Sequence, residues 1–100
     1  MEQIQKKKYK KRSGVVLLEI CGEHLLVATK EARDRCPYVT QINQSAAFYW
    51  EKFDDAYSVN EVAEHAAQSM GKETREVLLP ILLFINKMEK SGYLVEVEEG

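Results

Sequence analysis

The chain has only two cysteines, Cys21 and Cys36, and neither stands in a metal-binding or redox motif. A disulfide framework is therefore excluded as the basis of the fold, and the two are expected to be free thiols in a reducing compartment. Histidine is as scarce. His24 and His65 lie far apart, with no cysteine or carboxylate at ligand spacing around either, so no metal and no cofactor are expected. Glycine numbers five, and none belongs to a Gly-rich phosphate loop. No apolar run approaches the roughly 18 residues of a membrane span. The basic start is not followed by the apolar stretch of a secretory signal, so the expected location is the cytoplasm. Internal repeats are absent, and 100 residues with 45% hydrophobic content have room for one domain with a modest core.

Charge is present but unevenly placed. Lys6, Lys7, Lys8, Lys10, Lys11 and Arg12 put six positive charges into the first dozen residues, whereas residues 13–100 carry 8 basic and 15 acidic groups. The acidic remainder repels a polyanion, so nucleic-acid binding would rest almost wholly on the arm, through counterion release. With only Ile4 and Tyr9 as bulky apolar groups, residues 1–13 read as a solvated, disordered basic arm. The folded domain is then expected over residues 14–97.

Within that span the periodicity changes in an informative order. Val15–Ile20 and His24–Thr29 flank the turn signal Cys21-Gly22-Glu23 and predict a β-hairpin. Pro37, which cannot donate a ladder hydrogen bond, precedes Tyr38-Val39-Thr40-Gln41-Ile42 and favours a third strand at a sheet edge. Asn43 is an expected N-cap for a helix to about Asp54, with Ala46, Ala47, Trp50 and Phe53 as its inner stripe. Ser58-Val59-Asn60-Glu61 spells a capping box for a second helix, whose inner face is Val62, Ala63, Ala66 and Met70 and whose stop is Gly71. A third helix is predicted from about Glu73 to Ser91, closed by Gly92, and Tyr93–Val97 reads as a final strand. The fold class is thus α+β and winged-helix-like: three N-terminal β-strands, three α-helices and a short C-terminal strand.

The third helix is apolar nearly all round. Val77, Leu78, Ile81, Phe84, Ile85 and Met88 form the expected core face, while Leu79, Leu82 and Leu83 lie opposite, with Asn86 among them. A second apolar face needs a second covering, because burying one leucine side chain stabilises by roughly 1.5–3 kcal/mol. The hairpin of the same chain, a second copy forming a homodimer, or a foreign peptide could each supply it. An open strand edge beside an apolar helix is the geometry used in β-augmentation. No catalytic constellation stands out. Asp54 and Asp55 read as a turn rather than an acid/base pair, and Trp50 reads as core rather than as a stacking platform.

The stretch Ile42-Asn43-Gln44-Ser45-Ala46-Ala47-Phe48-Tyr49-Trp50, followed by Ser58-Val59-Asn60-Glu61-Val62-Ala63, Phe84-Ile85 to Met88 and Gly92-Tyr93-Leu94, resembles the PqqD-like family over roughly residues 14–95. Members of that family are RiPP recognition elements, which bind the leader of a ribosomally made precursor peptide and present it to a modifying enzyme, often a radical-SAM enzyme. The resemblance implies a peptide-binding chaperone, not an enzyme. Its expected partners are a precursor leader peptide and a peptide-modifying enzyme. It implies that the leader adds to the third strand, here Tyr38, Val39, Thr40, Gln41 and Ile42, and lies against Leu79, Leu82, Leu83 and Asn86. The chain departs from the family at Pro80, where an acidic residue is usual and where a kink or restart of the helix is expected, and in its long basic arm. The alternative reading is a winged-helix DNA-binding transcriptional regulator, aided by the topology and the arm and opposed by the acidic domain.

Overall fold

The computed structural model describes residues 7–53 and 58–97; the predicted turn at Asp54 and Asp55 lies outside these residues. The order of elements is β1 (Lys8–Lys11), β2 (Val15–Ile20), β3 (Glu23–Ala28), β4 (Val39–Ile42), α1 (Gln44–Glu51), α2 (Val59–Met70), α3 (Thr74–Ser91) and β5 (Leu94–Val97). The α+β layout and six of the seven expected elements match to within a residue or two. The seventh, the first helix, stops at Glu51 with Lys52 as its C-cap.

The element that composition did not announce is β1. Residues 8–11 are not an unstructured arm: they pair antiparallel with β5, Lys8 opposite Val97 and Lys11 opposite Leu94. One side chain accounts for the ordering. Tyr9 is 1% exposed and meets Phe53 edge-on at 6.5 Å between ring centroids. The strand is further tied by the Val59 amide donating to the Lys7 carbonyl at 2.9 Å, and by Lys7 and Glu96 at 3.6 Å. Lysines at Lys8 and Lys10 leave on the outer side while Tyr9 goes in, which is the alternation of a strand. The rest of the expected arm, residues 1–6, lies outside the described residues.

Strands β2, β3 and β4 form a second sheet in that order, so β4 is an edge strand among the described strands. The hairpin between β2 and β3 turns through Cys21 (φ 53°) and Gly22 (φ 80°), both left-handed as a type I′ turn demands. Leu26 and Ala28 point inward and are fully buried, joined by Ile42. Val16, Leu18 and Ile20 face out with Val39, each 41–51% exposed.

Helix α1 starts where Asn43 accepts the Ala46 amide at 2.7 Å. Helix α2 starts on the capping box, Ser58 and Glu61 each satisfying the other's amide. The hydrogen bonds to Ser58 hold the Glu61 carboxyl below its usual pKa. Helix α3 is assigned without a break from Thr74 to Ser91, through Pro80. The expected restart there does not occur. The proline costs the helix one bond to the Glu76 carbonyl, and its own side chain is exposed. Gly92 ends α3 in the left-handed region (φ 89°), and a Cβ at that position would run into the Arg35 carbonyl oxygen. The loop after β3 is thereby packed directly on the end of α3, and Arg12 also donates to the Gly92 carbonyl. The core runs from Tyr9, Trp50 and Phe53 through Val62, Ile81 and Met88 to Tyr93 and Leu94, each at most 1% exposed. No helix of the described residues is long and apolar enough to cross a membrane.

Candidate functional site: an open strand edge beside a helix-walled groove

The backbone of β4 is aimed in two directions. The Ala28 amide donates to the Tyr38 carbonyl at 2.8 Å, and the register continues as Val27 to Val39, Leu26 to Thr40, Leu25 to Gln41 and His24 to Ile42. In an antiparallel ladder the bonded pairs alternate, so Tyr38, Thr40 and Ile42 turn their amides and carbonyls toward β3. Val39 and Gln41 turn theirs outward, along the open edge. These four outward groups are a template for one more strand.

The start of β4 is held from behind. The Tyr93 hydroxyl donates to the Pro37 carbonyl at 2.7 Å and lies 2.6 Å from the Thr40 hydroxyl. Burial pushes the Tyr93 pKa up, partly offset by the Thr40 bond, so the phenol stays neutral and available to donate. Tyr38 stays outside the core at 57% exposure, with the Arg33 guanidinium 4.3 Å from its ring centroid. The Gln41 side-chain amide bonds the Glu23 carboxylate across the sheet.

Beside the lower end of this edge lies a groove of about 600 Å³ between the β4–α1 junction and α3. One wall is Gln41, Ile42, Asn43, Ser45, Ala46 and Tyr49; the other is Pro80, Leu83, Phe84, Lys87 and Met88. Its floor is mostly apolar: Ile42, Tyr49, Phe84 and Met88 are all buried, and the Tyr49 and Phe84 rings meet edge-on at 5.8 Å. Burial also raises the Tyr49 pKa. Its rim is soft and exposed, with Leu83 at 61%.

Of the nine residues expected to bind peptide, Gln41, Ile42 and Leu83 line this groove. Tyr38, Val39 and Thr40 continue along the strand above it. At about 100° per residue, Pro80, Leu83, Phe84 and Lys87 fall on the groove flank of α3. Leu79, 63% exposed, and Asn86 sit on the solvent ridge, and Leu82 lies beyond it, half-buried against the core. The groove face is thus turned toward Pro80 and Lys87 relative to the expected one. Periodicity assigns Phe84 and Met88 to the core face; the recurrence of Pro80, Leu83, Phe84 and Lys87 at three- and four-residue steps is the signal for the flank they share. The hairpin of this chain does not cover Leu79 or Leu83.

A second groove of about 450 Å³ lies between Leu17, Glu19 and His24 of the hairpin and the α1 residues Gln44, Ala47, Phe48 and Glu51. Cys21 is exposed and Cys36 is buried, both as free thiols, and burial raises the Cys36 pKa. Among the described residues no three His, Cys, Asp or Glu side chains stand close enough together to hold a metal ion.

The fold and groove together define a small α+β module with an unpaired strand edge alongside an apolar cleft. No protein-family model and no curated protein sequence matches the chain. A solved structure described as "Lasso peptide synthetase B1 complexed with the leader peptide" is similar in fold, with a TM-score of 0.66 at 15% identity, over 87% of this chain and 96% of that chain.

Proposed function

We propose that the protein binds the leader segment of a ribosomally synthesised precursor peptide by strand addition to β4 and presents it to a modifying enzyme. The observation that carries this reading is the outward-facing backbone of Val39 and Gln41 directly above an apolar groove on α3. Backbone pairing supplies affinity without regard to side chains, and the groove supplies selection. The fold-level likeness to a lasso peptide synthetase protein complexed with the leader peptide supports the same reading, as does the resemblance to the PqqD-like family. On this reading the protein is a non-catalytic cytoplasmic carrier without cofactor. The peptide contacts run along Tyr38–Ile42 and across Leu79 and Leu83, with Leu82 and Asn86 at the periphery. A radical-SAM enzyme is one candidate for the recipient.

The test is a titration of isotope-labelled protein with the leader of a precursor encoded near this gene. Amide shifts are expected at Val39, Gln41 and Asn43 and along Pro80–Met88, with new protection from hydrogen exchange at the Val39 and Gln41 amides. Shifts confined to the far side of the sheet, with β4 unprotected, would falsify strand addition at this edge.

A further inference from the structure

The groove is apolar in its floor, but its rim carries one charge. Lys87 is the sole charged residue lining it, its side chain is exposed, and no carboxylate pairs with it among the described residues. The opposite wall adds no negative charge: Asn43 and Ser45 are neutral, and the first turn of α1 holds no acidic residue. An anionic side chain arriving at Lys87 therefore meets a cation, while the Glu23 carboxylate is held by the Gln41 amide at the sheet end of the groove.

The spacing of the walls determines where that anion sits in the bound peptide. Leu83 and Lys87 are one turn apart on α3, a rise of about 6.0 Å at 1.5 Å per residue. An extended strand presents side chains to one face every second residue, about 6.6–6.8 Å apart. A strand running along the groove thus matches Lys87 with one side chain and Leu83, with the Phe84 ring behind it, with the next one on the same face.

We propose that the groove selects extended peptides in which an aspartate or glutamate stands two positions from a bulky apolar residue, the acid pairing with Lys87 and the apolar side chain entering between Leu83, Tyr49 and Ile42. This rests on the strand-addition reading above and names the class of peptide that site takes. Lys87 acts as a selector of charge, while the β4 edge and the apolar floor supply most of the affinity.

The experiment uses the full chain and a displayed library of random dodecapeptides, selected in parallel on the wild type, Lys87→Glu and Leu83→Asp. Thermal melts of all three check that the exposed substitutions leave the fold intact. The wild type is expected to enrich an apolar residue with Asp or Glu two positions away, and Lys87→Glu to keep the apolar residue while replacing the acid by Lys or Arg. A synthetic peptide from the wild-type pool, with its acid changed to the amide, should bind the wild type about 1.5- to fivefold more weakly, the range of an exposed ion pair, and Lys87→Glu no more weakly. Equal acid content in the pools from wild type and Lys87→Glu would overturn the charge selection and leave strand addition standing. Failure of the wild type to enrich any sequence, or enrichment that Leu83→Asp leaves unchanged, would overturn the groove as the binding site, and this proposal with it.

Discussion

Replacing Val39 by proline separates the outward backbone of β4 from the inward one, because the two adjacent residues Val39 and Thr40 face opposite ways. At Val39 the lost amide is the one aimed at solvent, so the ladder to β3 keeps all its bonds. Thr40→Pro instead removes a donor that faces β3 opposite Leu26, a fully buried residue, and displaces the Thr40 hydroxyl from Tyr93. The first variant is expected to stay within about 0.5 kcal/mol of wild-type stability, the usual range for a surface change. The second should lose about 2–3 kcal/mol, from a buried unsatisfied carbonyl and a broken ladder bond. For peptide binding the order inverts in meaning. Val39→Pro deletes one intermolecular hydrogen bond, worth about 0.5–1.5 kcal/mol net, and its ring stands where the incoming strand must approach to about 4.8 Å. A loss of about tenfold or more in Kd is expected for a folded protein. The assay is calorimetric titration of a wild-type-selected peptide alongside urea denaturation of both variants. Undiminished affinity in folded Val39→Pro refutes pairing at this edge, and equal destabilisation by the two prolines refutes the assigned direction of the backbone groups.

Further outcomes follow from the core and the groove. Tyr9→Ala should cost about 3–5 kcal/mol of stability, the usual range for emptying a large aromatic site, read by urea denaturation; a change below about 1 kcal/mol would return β1 to the status of a loose arm. Burial, with Glu89 and Glu96 nearby, pushes the Tyr9 pKa from 10.0 up to about 12. Its neutral form is favoured in the fold, so its contribution is complete below about pH 10 and lost as pH rises through 12; Tyr9→Phe should flatten the fall of the denaturation midpoint over that window. Leu83→Asp is expected to leave the melting temperature unchanged and Leu82→Asp to lower it, because Leu83 is 61% exposed while Leu82 packs on the core. Gly92→Ala combines a left-handed φ with a clash on the Arg35 carbonyl and should destabilise by more than about 1 kcal/mol, seen as a lower denaturation midpoint with an unchanged slope.

The local elements were legible in the sequence because their signals are local. Asn43, the Ser58–Glu61 box, Gly71 and Gly92 each satisfy or end a helix through groups within a few residues, and the hairpin turn needs only the left-handed freedom near Gly22. The edge position of β4 was legible from Pro37 for the same kind of reason. The order of β1 was not, since a segment with one tyrosine among lysines lacks the apolar content to order itself; its partner, β5, and the Phe53 ring come from distant parts of the chain. Pro80 suggested a kink or restart; the helix runs on through it, with Val77, Ile81 and Phe84 buried on either side. The direction of the groove also belonged to the tertiary structure. Periodicity identified two apolar faces on α3, but which flank stays open depends on where α1 and β4 come to lie. That placement, set by long-range burial around Trp50 and Phe84, turned the cleft from Leu82 and Asn86 toward Pro80 and Lys87.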